Sequence, residues 1–241
     1  MSTLRQLLSW GSETLANAEV PDSGQDAWML MEEVFGIEKS YYFLHGDDKI
    51  DPNTQKRYED MIRERAKRIP VQYLTGKAWF MGYEFLVNSS VLIPRFDTEV
   101  LVEEALKLLE QEKVPKEKET VRMLDLCTGS GCILISILYY AAKEKIQIQG
   151  TGADISEAAL RIAEENLDLL EKNGNKGMAE LLESDLFERV EGRFGMIASN
   201  PPYIRTSVIS GLKEEVRLHD PLLALCLLYT SPSPRDVEES R

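Results

Sequence analysis

Up to Pro70, apolar residues recur at the three- and four-residue spacing of helices; after Thr120 the pattern changes to short apolar runs alternating with helical stretches. Leu4, Leu7, Leu8 and Leu15 fall on one helical face. Asp22 is placed to cap a second helix, with Ala27, Trp28, Leu30, Met31, Val34 and Phe35 inward and Gly36 closing it. Asp51-Pro52, a capping residue followed by proline at the first helical position, opens a helix with Tyr58, Met61 and Ile62 inward. Pro70 should end it, because the residue before a proline is pushed out of the helical region. These elements predict a small helical domain over residues 1–75. Nothing in it carries obvious chemistry, so substrate recognition or lid formation is its expected role.

From Ala78 to Ile93 the texture turns aromatic and β-branched, with Trp79, Phe80, Tyr83, Phe85, Val87, Val91, Leu92 and Ile93. Asn88-Ser89-Ser90 predicts the turn of a β-hairpin within a linking segment, 76–97. A helix is expected over Thr98–Glu110, then a charged, proline-bearing surface loop from Gln111 to Glu119. Beyond it, strands are predicted at Val121–Leu126, Ile146–Ala153, Met178–Leu182 and Phe194–Ser199. Helices are predicted at Cys132–Ala142 and Glu157–Lys172, the second capped by Ser156. Strands alternating with helices predict an α/β fold with a parallel, Rossmann-like sheet over 98–225. In such sheets a ligand binds outside the carboxyl ends of the strands.

The strand ends carry the candidate chemistry. The first ends in Asp125-Leu-Cys-Thr-Gly-Ser-Gly131 with a helix following at once. Gly129 and Gly131 allow close backbone approach, and Ser130 stands at a helix N-terminus with free N–H groups. A structural tight turn is the bland alternative. A dinucleotide site would want a third glycine where Leu134 stands, which argues for a different nucleoside ligand. The second strand ends at Asp154, where a carboxylate can accept from both hydroxyls of a ribose, or simply cap the next helix. After the third come Ser184-Asp-Leu-Phe187, in which Asp185 could meet an adenine amino group while Leu186 or Phe187 covers the ring.

The fourth strand ends in Asn200-Pro-Pro-Tyr203. Consecutive prolines remove two N–H donors and fix the backbone. The Asn200 side-chain oxygen and the Pro201 carbonyl can then both accept from one NH₂ group, while Tyr203 offers a flat face to a planar substrate. Such a clamp suits a weak nitrogen nucleophile, which must be oriented and relieved of developing charge. A tight proline turn is the alternative.

Composition narrows the classes. The chain has 241 residues, 43% hydrophobic and 29% charged, ordinary for a soluble globular protein. No apolar run is long enough for a membrane span, and the N-terminus lacks a signal-peptide pattern. Cys127, Cys132 and Cys226, with His45 and His219, match neither a disulfide framework nor a zinc site, so a reducing cytoplasm without metal is expected. A net charge of −13 speaks against stable binding to nucleic-acid phosphates. The basic cluster Lys56, Arg57, Arg63, Arg65, Lys67 and Arg68 is interleaved with Glu59, Asp60 and Glu64, which predicts a solvated helix face laced by i,i+4 pairs.

With these residues in view, the chain resembles the protein-(glutamine-N5) methyltransferases of peptide chain release factors, the HemK/PrmC family. The marks are Pro70-Val-Gln-Tyr-Leu-Thr-Gly76, Val91-Leu-Ile-Pro-Arg-Phe-Asp-Thr-Glu99, Asp125–Gly131, Ala153-Asp-Ile-Ser156, Ser184–Phe187 and Asn200–Tyr203. Asn-Pro-Pro-Tyr is shared with adenine-N6 methyltransferases; the helical N-terminal unit and the Pro-Arg-x-Asp-Thr-Glu segment are more specific. The resemblance implies S-adenosylmethionine held by Cys127, Thr128, Gly129, Ser130, Gly131, Asp154, Asp185, Leu186 and Asn200. Asp125 would orient the loop and the cofactor's methionine end. Cys127 stands where many members have glycine. The resemblance also implies a release-factor glutamine, in a Gly-Gly-Gln loop, gripped by Asn200, Pro201, Pro202 and Tyr203. Arg95 is counted with the substrate residues, and Asn200, Pro201 and Tyr203 are the expected catalytic set. The alternatives are an adenine-N6 nucleic-acid methyltransferase and a non-catalytic nucleoside-binding protein. After Asp220–Leu225 the family would continue with a Gly-Gly-x-Asp-Gly-Leu stretch, a helix and further strands. Here Cys226-Leu-Leu-Tyr-Thr-Ser-Pro-Ser-Pro-Arg235 follows, so 226–241 reads as a tail foreign to the family, and the sheet as incomplete.

Overall fold

The helical stripe before Pro70 folds into four helices, α1 (Leu4–Asn17), α2 (Ser23–Phe35), α3 (Lys39–His45) and α4 (Pro52–Ala66), and a short fifth, α5 (Val71–Thr75), follows Pro70. The computed structural model describes residues 2–111, 120–172 and 179–226. The tail 227–241, most of the expected loop before Thr120, and Met178 lie outside the described residues. The chain divides into two compact units, Met1–Lys77 with Lys213–His219, and Ala78–Leu212 with the chain from Asp220 onward.

In the first unit a capping box opens α1: Gln6 N–H donates to Thr3 Oγ1 at 3.3 Å and Thr3 N–H donates to Gln6 Oε1 at 3.1 Å. Asp51 caps α4 through Thr54 N–H at 2.9 Å, with Pro52 at the first helical position. Asp22 departs from expectation. Its φ of 54° turns the side chain away from the cap, and its carbonyl instead accepts from Gln25 and Asp26. The core joins Leu4, Leu7, Leu15, Ala27, Leu30, Met31, Tyr58, Ile62 and Val71. The basic cluster on α4 divides. Lys56–Asp60 and Arg63–Glu59 are the expected i,i+4 pairs. Arg65 is buried instead, donating to Asp26 Oδ2 at 2.6 Å and Glu215 Oε1 at 3.2 Å. Arg68 donates to Glu215 Oε2 at 3.0 Å.

A hairpin follows, β1 (Lys77–Phe80) and β2 (Tyr83–Leu86). Its turn lies at Met81-Gly82, not at Asn88–Ser90 as the sequence suggests. Both turn residues have positive φ, 50° and 75°, the geometry that matches the twist of paired strands. Met81 is held there by its N–H donating to Glu99 Oε1 at 2.6 Å and by Tyr140 Oη donating to its carbonyl at 2.8 Å. Asn88 forms a separate turn, accepting from Ser90 N–H at 2.8 Å.

Then come α6 (Phe96–Gln111), β3 (Val121–Leu126), α7 (Cys132–Lys143), β4 (Ile148–Asp154), α8 (Glu157–Lys172), β5 (Ala179–Glu183) and β6 (Met196–Ser199). The sheet has order β5-β4-β3-β6 and every pairing is parallel. The fold is thus the expected α/β sheet. Ile146, expected in the second strand, instead closes α7 by donating to the Ala141 carbonyl. Pairing of Leu126 with Ala153 and Ser199, and of Asp154 with Glu183, brings the carboxyl ends of all four strands to one edge. Leu134, Ile137, Leu138, Met123 and Ile148 fill the core beneath.

Candidate active site

Because the strands end in register, the loops after β3, β4, β5 and β6 open into one cavity of about 410 Å³. The loop after β3 is built around Asp125, which has no solvent exposure. Its Oδ2 accepts from Thr128 Oγ1 at 2.6 Å and from Leu134 N–H at 3.2 Å. Its Oδ1 is buried without a hydrogen-bond partner among the described residues. Burial pushes the carboxyl up to about 7, with Thr128 and Leu134 pulling it back. Gly129 has φ of 56° and open space where a side chain would stand, so its backbone presents itself directly. Gly131 is tight instead: an added Cβ would meet Ile135 Cδ1 at 3.0 Å and Ala163 Cβ at 3.3 Å. Cys127 also takes positive φ, 60°, the physical reason a glycine would suit that position.

Asp154 stitches two loops together. Its Oδ2 accepts from Gly129 N–H at 2.9 Å and its Oδ1 from Ser156 N–H at 3.0 Å. Ser156 in turn caps α8 through Ala159 N–H at 3.2 Å. Ser184 N–H donates to the Asp154 carbonyl, and Ser184 Oγ accepts from Arg189 N–H at 3.0 Å, which fixes the loop carrying Asp185 and Leu186. After β6, Ser199 Oγ donates to the Leu126 carbonyl at 2.7 Å, anchoring the backbone just before Asn200. Asn200 Nδ2 donates to Thr98 Oγ1 at 3.1 Å. Arg95 pairs with the buried Asp220 at 2.5 Å. Burial pushes the Cys127 thiol up to about 11 and the Cys132 thiol up to about 12, so neither is poised as a thiolate nucleophile. Among the described residues no group of three or more His, Cys, Asp or Glu could hold a metal.

Known proteins match along both units. The PrmC N-terminal domain family matches residues 6–76, and the methyltransferase small domain family matches residues 99–214. The release factor glutamine methyltransferase of Agrobacterium fabrum is 38% identical over 88% of this chain and 70% of its own length. Those of Geobacter sulfurreducens and Deinococcus radiodurans are 34% and 35% identical over 92% of this chain, covering 73% and 74% of theirs. The chain belongs to the release factor glutamine methyltransferase family. Among solved structures, a SAM-dependent methyltransferase from Agrobacterium tumefaciens aligns with a TM-score of 0.40 at 18% identity, over 52% of this chain and 39% of that one.

Of the residues read from sequence, Cys127, Thr128, Gly129, Ser130, Asp154, Asp185, Leu186, Arg95, Asn200 and Pro202 line the cavity. Asp125 lies buried behind the wall, and Gly131 packs under α8 rather than facing the space. Pro201 and Tyr203 are not in the wall; Tyr203 is 80% exposed. Phe187 is exposed too, leaving Leu186 as the apolar residue of that loop in the wall. Sequence reasoning missed Thr98, Pro221, Leu223 and Ala224 as wall residues. Thr98 lies inside the family-specific segment Val91–Glu99, a signal that marked the stretch but gave no role. Cys226, first residue of the stretch read as foreign, is buried and lines the cavity.

Proposed function

We propose that this chain methylates the side-chain amide nitrogen of the glutamine in the Gly-Gly-Gln loop of peptide chain release factors, using S-adenosylmethionine. The observation that carries this reading is Asn200, a side-chain amide at the sheet edge on the wall of a nucleoside-sized cavity, in a chain of this family. The cavity suits the cofactor. Gly129 leaves open space at the loop, Asp154 presents a carboxylate beside it, and Leu126, Ile133, Ile155, Leu186 and Leu223 supply apolar walls. Asp125, buried behind the loop, holds its shape through Thr128 and Leu134.

When bound, S-adenosylmethionine supplies an electrophilic methyl group. The protein's task is to make a poor nucleophile attack. An amide lone pair is delocalised into its carbonyl, so the NH₂ must be held in line and relieved of the positive charge that grows on nitrogen. The Asn200 side-chain oxygen accepts a hydrogen bond from one N–H of that NH₂, and the Pro201 carbonyl accepts one from the other. Pro201 and Pro202 lack N–H groups and hold the segment extended. Tyr203, exposed here, offers its face to the planar amide. Asp154 receives the ribose with the lone pairs left after Gly129 and Ser156 are satisfied.

Asn200→Ala should lower turnover by about 10²–10³-fold, the scale for losing one preorganised transition-state hydrogen bond, while cofactor affinity falls much less. The assay is single-turnover methylation of a release factor, with the modified residue located by mass spectrometry. A variant that methylates glutamine at near wild-type rate overturns the clamp. Methyl found on adenine in offered DNA, with none on the release factor, overturns the substrate.

A further inference from the structure

Asn200 leaves β6 on a backbone that is already fixed, since Ser199 is tied to Leu126 on the neighbouring strand and prolines follow. With the backbone held, the orientation of the side-chain amide decides which of its groups is offered to a ligand. Turning that amide over exchanges an acceptor oxygen for a donor NH₂. The two faces are nearly equal in shape and opposite in chemistry. A substrate NH₂ meets an acceptor in one orientation and a second donor in the other.

The structure turns the NH₂ end toward Thr98. Thr98 lies in the first turn of α6, is 7% exposed, and its Oγ1 accepts from Asn200 Nδ2 at 3.1 Å. Its own position is fixed from three directions. Thr98 N–H donates to the Arg95 carbonyl at 2.9 Å, Arg95 pairs with the buried Asp220, and Glu99 accepts from Met81 N–H in the hairpin turn. The hydroxyl therefore sits on a braced frame beside the amide. We propose that Thr98 is a positioning residue that holds the Asn200 NH₂ at the cavity wall in the orientation seen here and leaves the amide oxygen to the substrate. This rests on the functional reading given above for Asn200, and assigns to Thr98 no contact with substrate or cofactor.

Valine and serine separate the hydroxyl from the packing. Thr98→Val keeps the shape and removes the acceptor; Thr98→Ser keeps the acceptor and removes the methyl. In steady-state methylation of a release factor by the full chain, Thr98→Val should lower kcat by roughly 3–10-fold, the range for one neutral hydrogen bond. Thr98→Ser should remain within about twofold of wild type, and the KM for cofactor should be unchanged in both. Thr98→Ala takes the place of the valine variant should that protein not fold. A second readout needs no turnover. In NMR of isotope-labelled protein, the Asn200 side-chain NH₂ should exchange with water slowly in wild type and Thr98→Ser, and faster in Thr98→Val. Wild-type kcat in Thr98→Val, or a serine variant as impaired as the valine one, overturns the inference. A wild-type chain that leaves glutamine unmodified sinks the functional reading instead. The exchange comparison then still decides the orientation, and equal rates in wild type and Thr98→Val overturn it.

Discussion

Asp125 sits at the end of β3 with no solvent exposure, one oxygen satisfied by Thr128 and Leu134 and the other without a partner among the described residues. Burial raises its folded-state carboxyl to about 7, well above the value of an exposed aspartate, and the nearby Asp154 charge pushes the same way. The folded state therefore holds this proton between about pH 4 and pH 7 where the unfolded chain has released it. Stability from this group is fully present at the acid end and is lost as pH rises through the window, levelling off above about 7. The ceiling is about 4 kcal/mol, at roughly 1.36 kcal/mol per pH unit. Asp125→Asn keeps an acceptor for Thr128 and Leu134 but has no proton to lose. Urea unfolding without cofactor, from about pH 5 to about pH 8, should show a shallower decline for the variant. Equal slopes would remove Asp125 as the source. The position was legible as a strand-end carboxylate, but its burial was not, because that depends on Leu134 and Thr128 closing over it. Asp154 shows the same limit. Its place at the strand end could be read, whereas the Gly129 and Ser156 N–H groups it holds belong to loop geometry that no spacing reveals.

At the scale of elements, the sheet and its flanking helices were legible because short apolar runs and period-3.6 stripes are local. What escaped depends on contacts between distant segments. The hairpin turn at Met81-Gly82 lacks the Asn-Gly or Asp-Gly signature and is held by Glu99 and Tyr140, so Asn88–Ser90 gave the stronger but misleading signal. The α1 stripe has a similar hidden contact. Leu4, Leu7 and Leu15 share their buried face with Gly11, and an added Cβ at Gly11 would lie 2.3 Å from Tyr58 Oη and 3.1 Å from Ile62 Cδ1. Tyr58 cannot easily yield, being buried with its hydroxyl donating to the Ala27 carbonyl at 3.1 Å. Gly11→Ala adds about 1 kcal/mol of helix propensity but forces α1 and α4 apart. Overpacking typically costs about 1–3 kcal/mol. The clash with Tyr58 should outweigh the gain in propensity, leaving a net loss of up to about 2 kcal/mol in chemical denaturation. Adding Tyr58→Phe removes the obstructing oxygen and should recover part of that loss. A Gly11→Ala protein as stable as wild type would mean the helices part without cost.

At the scale of the molecule, the two units have separate cores and unequal roles. Assignment of Lys213–His219 to the first unit was not legible, because Arg65 and Arg68 meet Glu215 across 150 and 147 residues of chain. The cavity draws every wall residue from the second unit. A fault in the first core and a fault in the site should therefore separate in measurement. Gly11→Ala should lower stability yet leave the calorimetric Kd for S-adenosylmethionine within about threefold of wild type, about 0.7 kcal/mol. Asp154→Ala should do the reverse to the ligand. It removes a charged acceptor and frees the Gly129 and Ser156 N–H groups it holds, weakening binding by roughly 1.5–3 kcal/mol. Ligand at about a hundred times Kd stabilises a folded protein by about 2.7 kcal/mol. In thermal melts at a fixed cofactor concentration set to that level for wild type, Gly11→Ala should keep nearly the whole shift and Asp154→Ala should lose most of it. A tenfold weaker Kd in a folded Gly11→Ala protein would show that affinity is set partly by the first unit. An unchanged Kd in a folded Asp154→Ala protein would take Asp154 out of the cofactor site.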